Sequence, residues 1–133
     1  MSKYKFGTMS ARNLATVKPA LRGVLIRALD MGVMDFSVIA GKRTQAEQDR
    51  LYAQGRTEPG PIVTWTRNSR HLTGDAVDIV PYPLDWQDEI AFAKLAGVVL
   101  AAASEQEVGL DWGYDLWGKD MPHFELQKVK HEN

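Results

Sequence analysis

Two short segments of the sequence, 69–78 and 120–126, carry polar side chains in a pattern that is typical of a metal site. The first reads Ser-Arg-His-Leu-Thr-Gly-Asp-Ala-Val-Asp and supplies His71 and Asp78, and the second reads Asp-Met-Pro-His-Phe-Glu-Leu and supplies His123. Two imidazoles and one carboxylate form a three-ligand zinc set, and a catalytic zinc takes three protein ligands and keeps its fourth position for water. A fold that uses this set has to bring the two segments together.

Asp78 stands inside the otherwise apolar run 76–80, which predicts a strand. A carboxylate there is costly to bury unless it is paired or bound to a metal. Side chains alternate along a strand, so Asp78 shares a face with small Ala76, opposite Val77 and Ile79. The alternative is a structural aspartate paired with an arginine, together with two ordinary histidines. Each residue alone favours that alternative, whereas the joint pattern favours a metal.

The composition limits the chemistry of such a site. The chain has no cysteine, so disulfides and thiolate ligands are excluded and a zinc ion has to be held by His, Asp or Glu. His131 lies in the polar tail 128–133 and is interpreted as an ordinary histidine. The net charge is −1 and the basic residues are scattered, so there is no electrostatic argument for nucleic-acid binding.

The length and hydropathy predict one domain spanning residues 1–133, without membrane insertion. The longest apolar stretch, 95–103, is too short to cross a bilayer. Residues 1–9 are polar and lack the apolar region of a secretory signal, so we expect a soluble protein made in the cytoplasm. Nothing in the sequence indicates more than a monomer.

Hydrophobic periodicity, capping signals and turn residues predict the elements in order. They are a helix over 14–31 whose regular part begins at Pro19, a strand over 35–40, a helix over 44–54 with a capping box at Thr44, a loop over 56–70, a strand over 76–80, a helix over 85–109, and strands over 110–117 and 123–126. This order predicts an α+β domain with a small central antiparallel sheet packed by about three helices, and a metal in a cleft on the sheet.

The pattern Ser-x-His-x-x-Gly-x-Ala-x-Asp, followed by a distal acid-x-x-His, resembles the zinc D-Ala-D-Ala carboxypeptidase and dipeptidase family, which is VanY-like. Within that family, the chain is most similar to the small phage endolysins that are L-alanyl-D-glutamate peptidases. Supporting stretches are 14–19, 41–44 and 111–113.

The resemblance implies a role for each matching position. It implies zinc ligands at His71, Asp78 and His123, a catalytic acid/base at Asp120, a carbonyl-steadying arginine at Arg43, and substrate contacts at Ser69 and Gln48. From their proximity in the sequence, we also expect Trp112 and Trp117 to flank the cleft, although aromatic residues are more often core. Segment 111–120 is short and interrupted by aromatic residues, so we expect one zinc ion and no regulatory calcium.

The function implied by the resemblance is hydrolysis of the peptidoglycan stem peptide between L-Ala and D-Glu. The protein would wait in the host cytoplasm until another protein opens holes in the membrane, and it would need no separate cell-wall-binding domain. One alternative is a D,D-carboxypeptidase or dipeptidase acting on D-Ala-D-Ala termini with the same zinc centre. Another is a non-catalytic, zinc-stabilised binding module, against which the presence of Asp120 and Arg43 argues.

Overall fold

The computed structural model describes residues 3–128, which form five α-helices, a short 3-10 turn and four strands. The chain order is α1 Thr8–Leu14, α2 Pro19–Asp30, β1 Phe36–Ala40, α3 Gln45–Ala53, the 3-10 turn Arg70–Thr73, β2 Ala76–Pro81, α4 Glu89–Glu105, β3 Leu110–Trp112, α5 Gly113–Trp117 and β4 His123–Leu126.

The four strands form one antiparallel sheet in the order β1-β2-β4-β3. The predicted α+β class with a central antiparallel sheet is therefore confirmed. The strand that carries Asp78 and the strand that carries His123 are direct neighbours. The sheet topology thus joins the two polar segments that are far apart in the sequence.

The core lies between the sheet and the two longer helices, α2 and α4, which also pack on each other. Their apolar side chains recur at helical spacing, so each helix has one face to bury. Fully buried members include Leu21, Leu25, Leu95 and Val99 from the helices and Val77 and Ile79 from β2. Within residues 3–128, no helix is both long enough and apolar enough to span a membrane.

Local signals predicted the starts of two helices correctly. Thr44 caps α3 in a reciprocal capping box with Glu47. Pro19 occupies the first turn of α2, where its missing N–H costs nothing. The predicted regular helix from Pro19 is therefore correct, whereas residues 15–18 are not helical and the preceding helix α1 was not predicted.

The predicted strand over 110–117 is correct only as far as Trp112. Trp112 pairs with Phe124, and β4 begins one residue earlier, at His123. Because β4 extends no further than His123, residues beyond Gly113 have no strand to pair with, and the chain turns into α5 at Gly113. The predicted helix over 85–109 also begins later, since Asp88 is the residue that caps α4 by accepting from the Ala91 N–H.

Candidate metal and active site

His71, Asp78 and His123 meet at one end of the sheet. Asp78 in β2 lies directly across from His123 in β4 in the antiparallel register. His71 comes from the 3-10 turn just before β2 and is buried. One ligand atom from each of the three residues lies within 4.8 Å of the others, an arrangement that could hold a metal ion.

The hydrogen bonds of His71 fix which of its nitrogens faces the cluster. Its Nδ1 lies 2.8 Å from the carbonyl oxygen of Gly41, which can only accept, so Nδ1 carries the proton. Nε2 is then left with a lone pair, 3.3 Å from Asp78 Oδ1. This is the arrangement of a histidine that is prepared to bind a metal.

His123 is oriented in the same way by Glu125, a residue to which the sequence analysis gave no role. The Nε2 of His123 donates to Glu125 Oε1 at 2.9 Å, and both side chains are buried. Its Nδ1 therefore faces Asp78 Oδ1 at 3.3 Å. The sequence could have indicated this contact, because His123 and Glu125 are two residues apart on a strand and their side chains therefore lie on the same face.

The cluster fits a cation on the chemistry of its donors. Two imidazole lone pairs and one carboxylate converge, and they repel each other unless a proton or a metal ion lies between them. Burial alone would raise the pKa of Asp78, but in the metal-free protein hydrogen bonds from His123 and His71 in their protonated form, and the charge of the two rings, hold it well below its usual range. The carboxylate of Asp78 is therefore stabilised by positive charge beside it, which is the condition that a bound metal ion would also meet.

Arg43 is held beside the cluster by two partners. Its Nη2 donates to Asp78 Oδ2 at 3.3 Å, and its Nη1 donates to Gln48 Oε1 at 3.1 Å. Gln48 is fully buried and donates to the Thr66 carbonyl at 2.7 Å. The sequence-based expectation placed Gln48 on the cleft surface, whereas the structure places it behind Arg43, where it contacts the arginine and the loop instead.

Asp120 lies three residues before His123 and lines the cleft beside the cluster. Its backbone is left-handed, with φ 69°, a conformation that Asp and Asn adopt more readily than most residues. The residue is exposed to solvent, yet enough protein surrounds the carboxyl group that desolvation raises its pKa, and the charge of Asp78 adds to the rise. Asp120 is therefore a carboxyl group with an increased tendency to hold a proton.

A cleft of about 750 Å³ opens above the cluster. Ser69 lines it and also accepts a hydrogen bond from the His71 N–H. Trp112 was expected on the cleft wall but lies in the core, 9% exposed, and its Nε1 donates to the Met121 carbonyl. Trp117, for which the same expectation was made, does line the cleft, with its ring 5.3 Å from the ring of His123. His131 lies outside the described residues.

Gly113 is expected to be intolerant of any side chain, because α5 passes closely under the loop that carries Asp120. A Cβ at Gly113 would lie 2.5 Å from the Asp120 carbonyl oxygen and 3.0 Å from the His123 Cβ. We expect Gly113→Ala to lower the free energy of unfolding by about 1–3 kcal/mol and to weaken metal binding. Urea unfolding and a metal titration measure the two effects.

Gly97→Ala in α4 is the matched control, because a Cβ there meets nothing within 4 Å. It is expected to raise stability by about 0.5–1 kcal/mol, since alanine is the better helix former. A Gly113→Ala protein as stable as the wild type would contradict the close packing of this loop.

The metal-free protein is expected to lose stability as the pH rises above neutrality. Burial opposes a charge on His123, but its hydrogen bonds and charge interactions with Asp78 and Glu125 raise its pKa above 6.5. A group with a raised folded-state pKa stabilises the fold below its unfolded pKa, and this contribution is lost as the pH rises through the folded value. The contribution of Asp78, whose pKa is lowered, is lost only below its ordinary value of 3.8.

Urea unfolding of chelated protein between about pH 6 and about pH 9 measures this loss. The metal-loaded protein should show the opposite trend, because the ligands release protons when they bind a metal and affinity rises with pH. Chelated protein that gained stability over this range would contradict the charge arrangement described for the cluster.

Comparisons with known proteins agree with the motifs and with the fold. The model of the phage L-alanyl-D-glutamate peptidase family matches residues 1–130. The L-alanyl-D-glutamate peptidase of Escherichia phage T5 is 34% identical over 132 residues, covering 97% of this chain and 93% of that protein. The peptidoglycan L-alanyl-D-glutamate endopeptidase CwlK of Bacillus subtilis is 36% identical over 106 residues, covering 70% of this chain and 61% of that protein.

The fold has a close match among solved structures. The crystal structure of the Serratia marcescens L-Ala D-Glu endopeptidase ChiX has a TM-score of 0.78 to this chain at 34% identity, covering 94% of this chain and 92% of that one. The resemblance inferred from the two histidine motifs is therefore confirmed. With a family model matching almost its whole length, the chain belongs to the phage L-alanyl-D-glutamate peptidase family.

Proposed function

We propose that the chain is a zinc-dependent peptidoglycan peptidase that hydrolyses the bond between L-Ala and D-Glu in the stem peptide. One observation carries the proposal. His71, Asp78 and His123 present three ligand atoms within 4.8 Å of one another, in a cleft that also contains Asp120 and Arg43. The T5, Bacillus and Serratia proteins are named for cleavage of this bond.

The donor set supports zinc as the metal. Two histidines and one carboxylate are a common catalytic zinc set, and a zinc ion held by three protein ligands would keep its fourth position for water. A structural zinc normally has four protein ligands, whereas the cluster within residues 3–128 offers three. When bound, zinc polarises a carbonyl and lowers the pKa of water. We expect one zinc ion to be sufficient, without calcium.

Asp120 and Arg43 supply the remaining chemistry. Asp120 accepts a proton from the attacking water and passes it to the amine of the leaving D-Glu residue. Arg43 places a positive charge beside the reacting carbonyl, where negative charge develops. Because Asp78 and Gln48 hold the guanidinium group before the substrate arrives, little reorganisation is needed during the reaction.

We further propose that residues 1–133 act as one domain and as a monomer. The protein would stay in the host cytoplasm until membrane holes made by another protein give it access to the wall, which it then cleaves to lyse the cell. The name of the phage T5 relative supports a phage role.

The test is a digest of purified Gram-negative peptidoglycan by zinc-loaded protein, with fragments identified by mass spectrometry. Stem peptides that begin at D-Glu, and that are lost in a chelated control, are the expected products. Release of D-Ala alone would instead assign a D,D-carboxypeptidase. No cleavage by a folded, zinc-loaded sample would favour a binding module. Parallel digests with and without added calcium test whether zinc is sufficient.

A further inference from the structure

Lys119 is a positively charged side chain of the cleft that the proposed chemistry does not use. Apart from the histidines, the basic residues that line the cleft within residues 3–128 are Arg43 and Lys119. Arg43 is occupied by Asp78 and Gln48. Lys119 has no carboxylate partner within the described chain, and its Nζ lies 5.5 Å from the centre of the Trp65 ring.

The contact between Lys119 and Trp65 joins two separate walls of the cleft. Trp65 belongs to the long loop between α3 and the 3-10 turn, and Lys119 to the loop before β4. Trp65 is 70% exposed, so the pair lies at the mouth of the cleft. A cation held only by an exposed aromatic face is worth about 0.5–1 kcal/mol there and is readily released to a better partner.

We infer that Lys119 determines specificity by binding the free carboxylate of the D-Glu residue on the leaving side of the scissile bond. The inference rests on the proposed function and goes beyond it, because it names the substrate group that is recognised and the residue that recognises it. Trp65 keeps the ammonium group at the cleft mouth until the substrate arrives.

The chemistry of glutamate supplies the matching anion. A glutamate acylated on its amine by L-Ala has two carboxyl groups, and a peptide chain that continues from it uses only one. When the chain continues through the γ-carboxyl, the free α-carboxylate is attached to the carbon that bears the leaving amine. Asp120 is proposed to deliver the proton to that amine, and Lys119 is its neighbour in the chain and also lines the cleft, so we assign the cation to the leaving side.

A positive charge at this place assists binding because an acid stands beside it. Asp78 is balanced by Arg43 and by the metal it is proposed to bind, whereas Asp120, which also lines the cleft, opposes the approach of a substrate carboxylate. A hydrogen bond to a charged group contributes enough that its loss changes binding by about 10-fold or more. Lys119 thus offsets the repulsion and favours a free carboxylate over a neutral group of the same shape.

The experiment compares two synthetic peptides that contain the L-Ala–D-Glu bond and continue through the γ-carboxyl. They differ only in the α-group of D-Glu, which is a carboxylate in one and a carboxamide in the other. For zinc-loaded wild type, we expect kcat/KM to be about 10-fold or more higher on the carboxylate peptide, chiefly through KM. Added salt should reduce this ratio, because it screens an exposed ionic contact.

In Lys119→Met the ratio of the two kcat/KM values should fall to about one, and in Lys119→Glu below one. Lys94→Met is the matched control, since Lys94 is an exposed lysine on α4 away from the cleft, and it should keep the wild-type ratio. A purely structural role for Lys119 would lower both rates by the same factor and leave the ratio unchanged.

The inference is overturned if wild type cleaves both peptides equally well, if the ratio does not respond to salt, or if Lys119→Met keeps the wild-type ratio. The wild-type measurements do not depend on the folding of any variant. Failure of folded, zinc-loaded wild type to cleave either peptide would overturn the proposed function instead.

Discussion

His71→Ala and His123→Ala are each expected to lose tight metal binding and peptidase activity together. Each substitution removes one of three ligand atoms that lie within 4.8 Å of one another, and two ligands hold zinc far less tightly than three. Without the metal, polarisation of the carbonyl and activation of water are both lost, so we expect a fall of at least about 10³-fold in kcat/KM. Metal content of the dialysed protein and cleavage of an L-Ala–D-Glu peptide measure the two effects.

His131→Ala is the control for the general effect of removing a histidine, because the sequence predicts an ordinary role for His131. It should retain one zinc per chain and wild-type activity. A His71→Ala or His123→Ala protein that kept wild-type zinc affinity would disprove the three-ligand site. Because His71 is buried, circular dichroism has to show that the variant is folded before its metal content is interpreted.

Local sequence signals predicted the parts of the fold that depend on neighbouring residues. The capping box at Thr44 marks the start of α3, and the apolar run around Asp78 marks β2. The same run raised the question of why a carboxylate stands in an apolar strand, and the structure places Asp78, which is half-buried, between His71 and His123. For Asp78, the energetic cost of a carboxylate in an apolar strand was itself the signal for a functional site.

Features that depend on tertiary contacts were not predictable in the same way. The aromatic residues after Leu110 favour a strand by propensity, but β4 offers only His123 beyond the pair Trp112–Phe124, and α5 begins at Gly113. This places Trp112 in the core and Trp117 on the cleft, although both are near His123 in the sequence. The contact between Trp65 and Lys119 joins two loops that are far apart in the sequence, and hydrophobic periodicity does not predict contacts between loops.

The burial of Gln48 illustrates the same limit. The family resemblance implied that Gln48, a polar residue of the largely polar helix α3, contacts the substrate. The structure buries Gln48 because its amide is satisfied on both sides, by Arg43 and by the Thr66 carbonyl. The hydrogen bond between Gln48 and Thr66 depends on where the loop after α3 folds back onto the helix, and that position could not be predicted from the sequence.

Asp120→Asn is expected to keep the fold and the zinc ion but to lower kcat by about 10²–10⁴-fold, the usual contribution of a general acid/base. Asparagine preserves the size of the side chain and tolerates the left-handed backbone at φ 69°, so the loop should not move. It removes only the ability to accept a proton from water and return it to the leaving amine. Asp120→Ala should show the same loss of activity with a small additional loss of stability, because alanine is less suited to this backbone.

The measurement is a single-turnover rate for zinc-loaded protein, with zinc content and thermal unfolding determined on the same sample. Asp115→Asn is the matched control, because it removes an exposed carboxylate from α5 close to Asp120 in the chain but outside the lining of the cleft. It should react at the wild-type rate. If zinc-loaded Asp120→Asn also turned over normally, the proton transfer would have to be assigned to another group. Loss of zinc together with activity would instead give Asp120 a role in holding the metal.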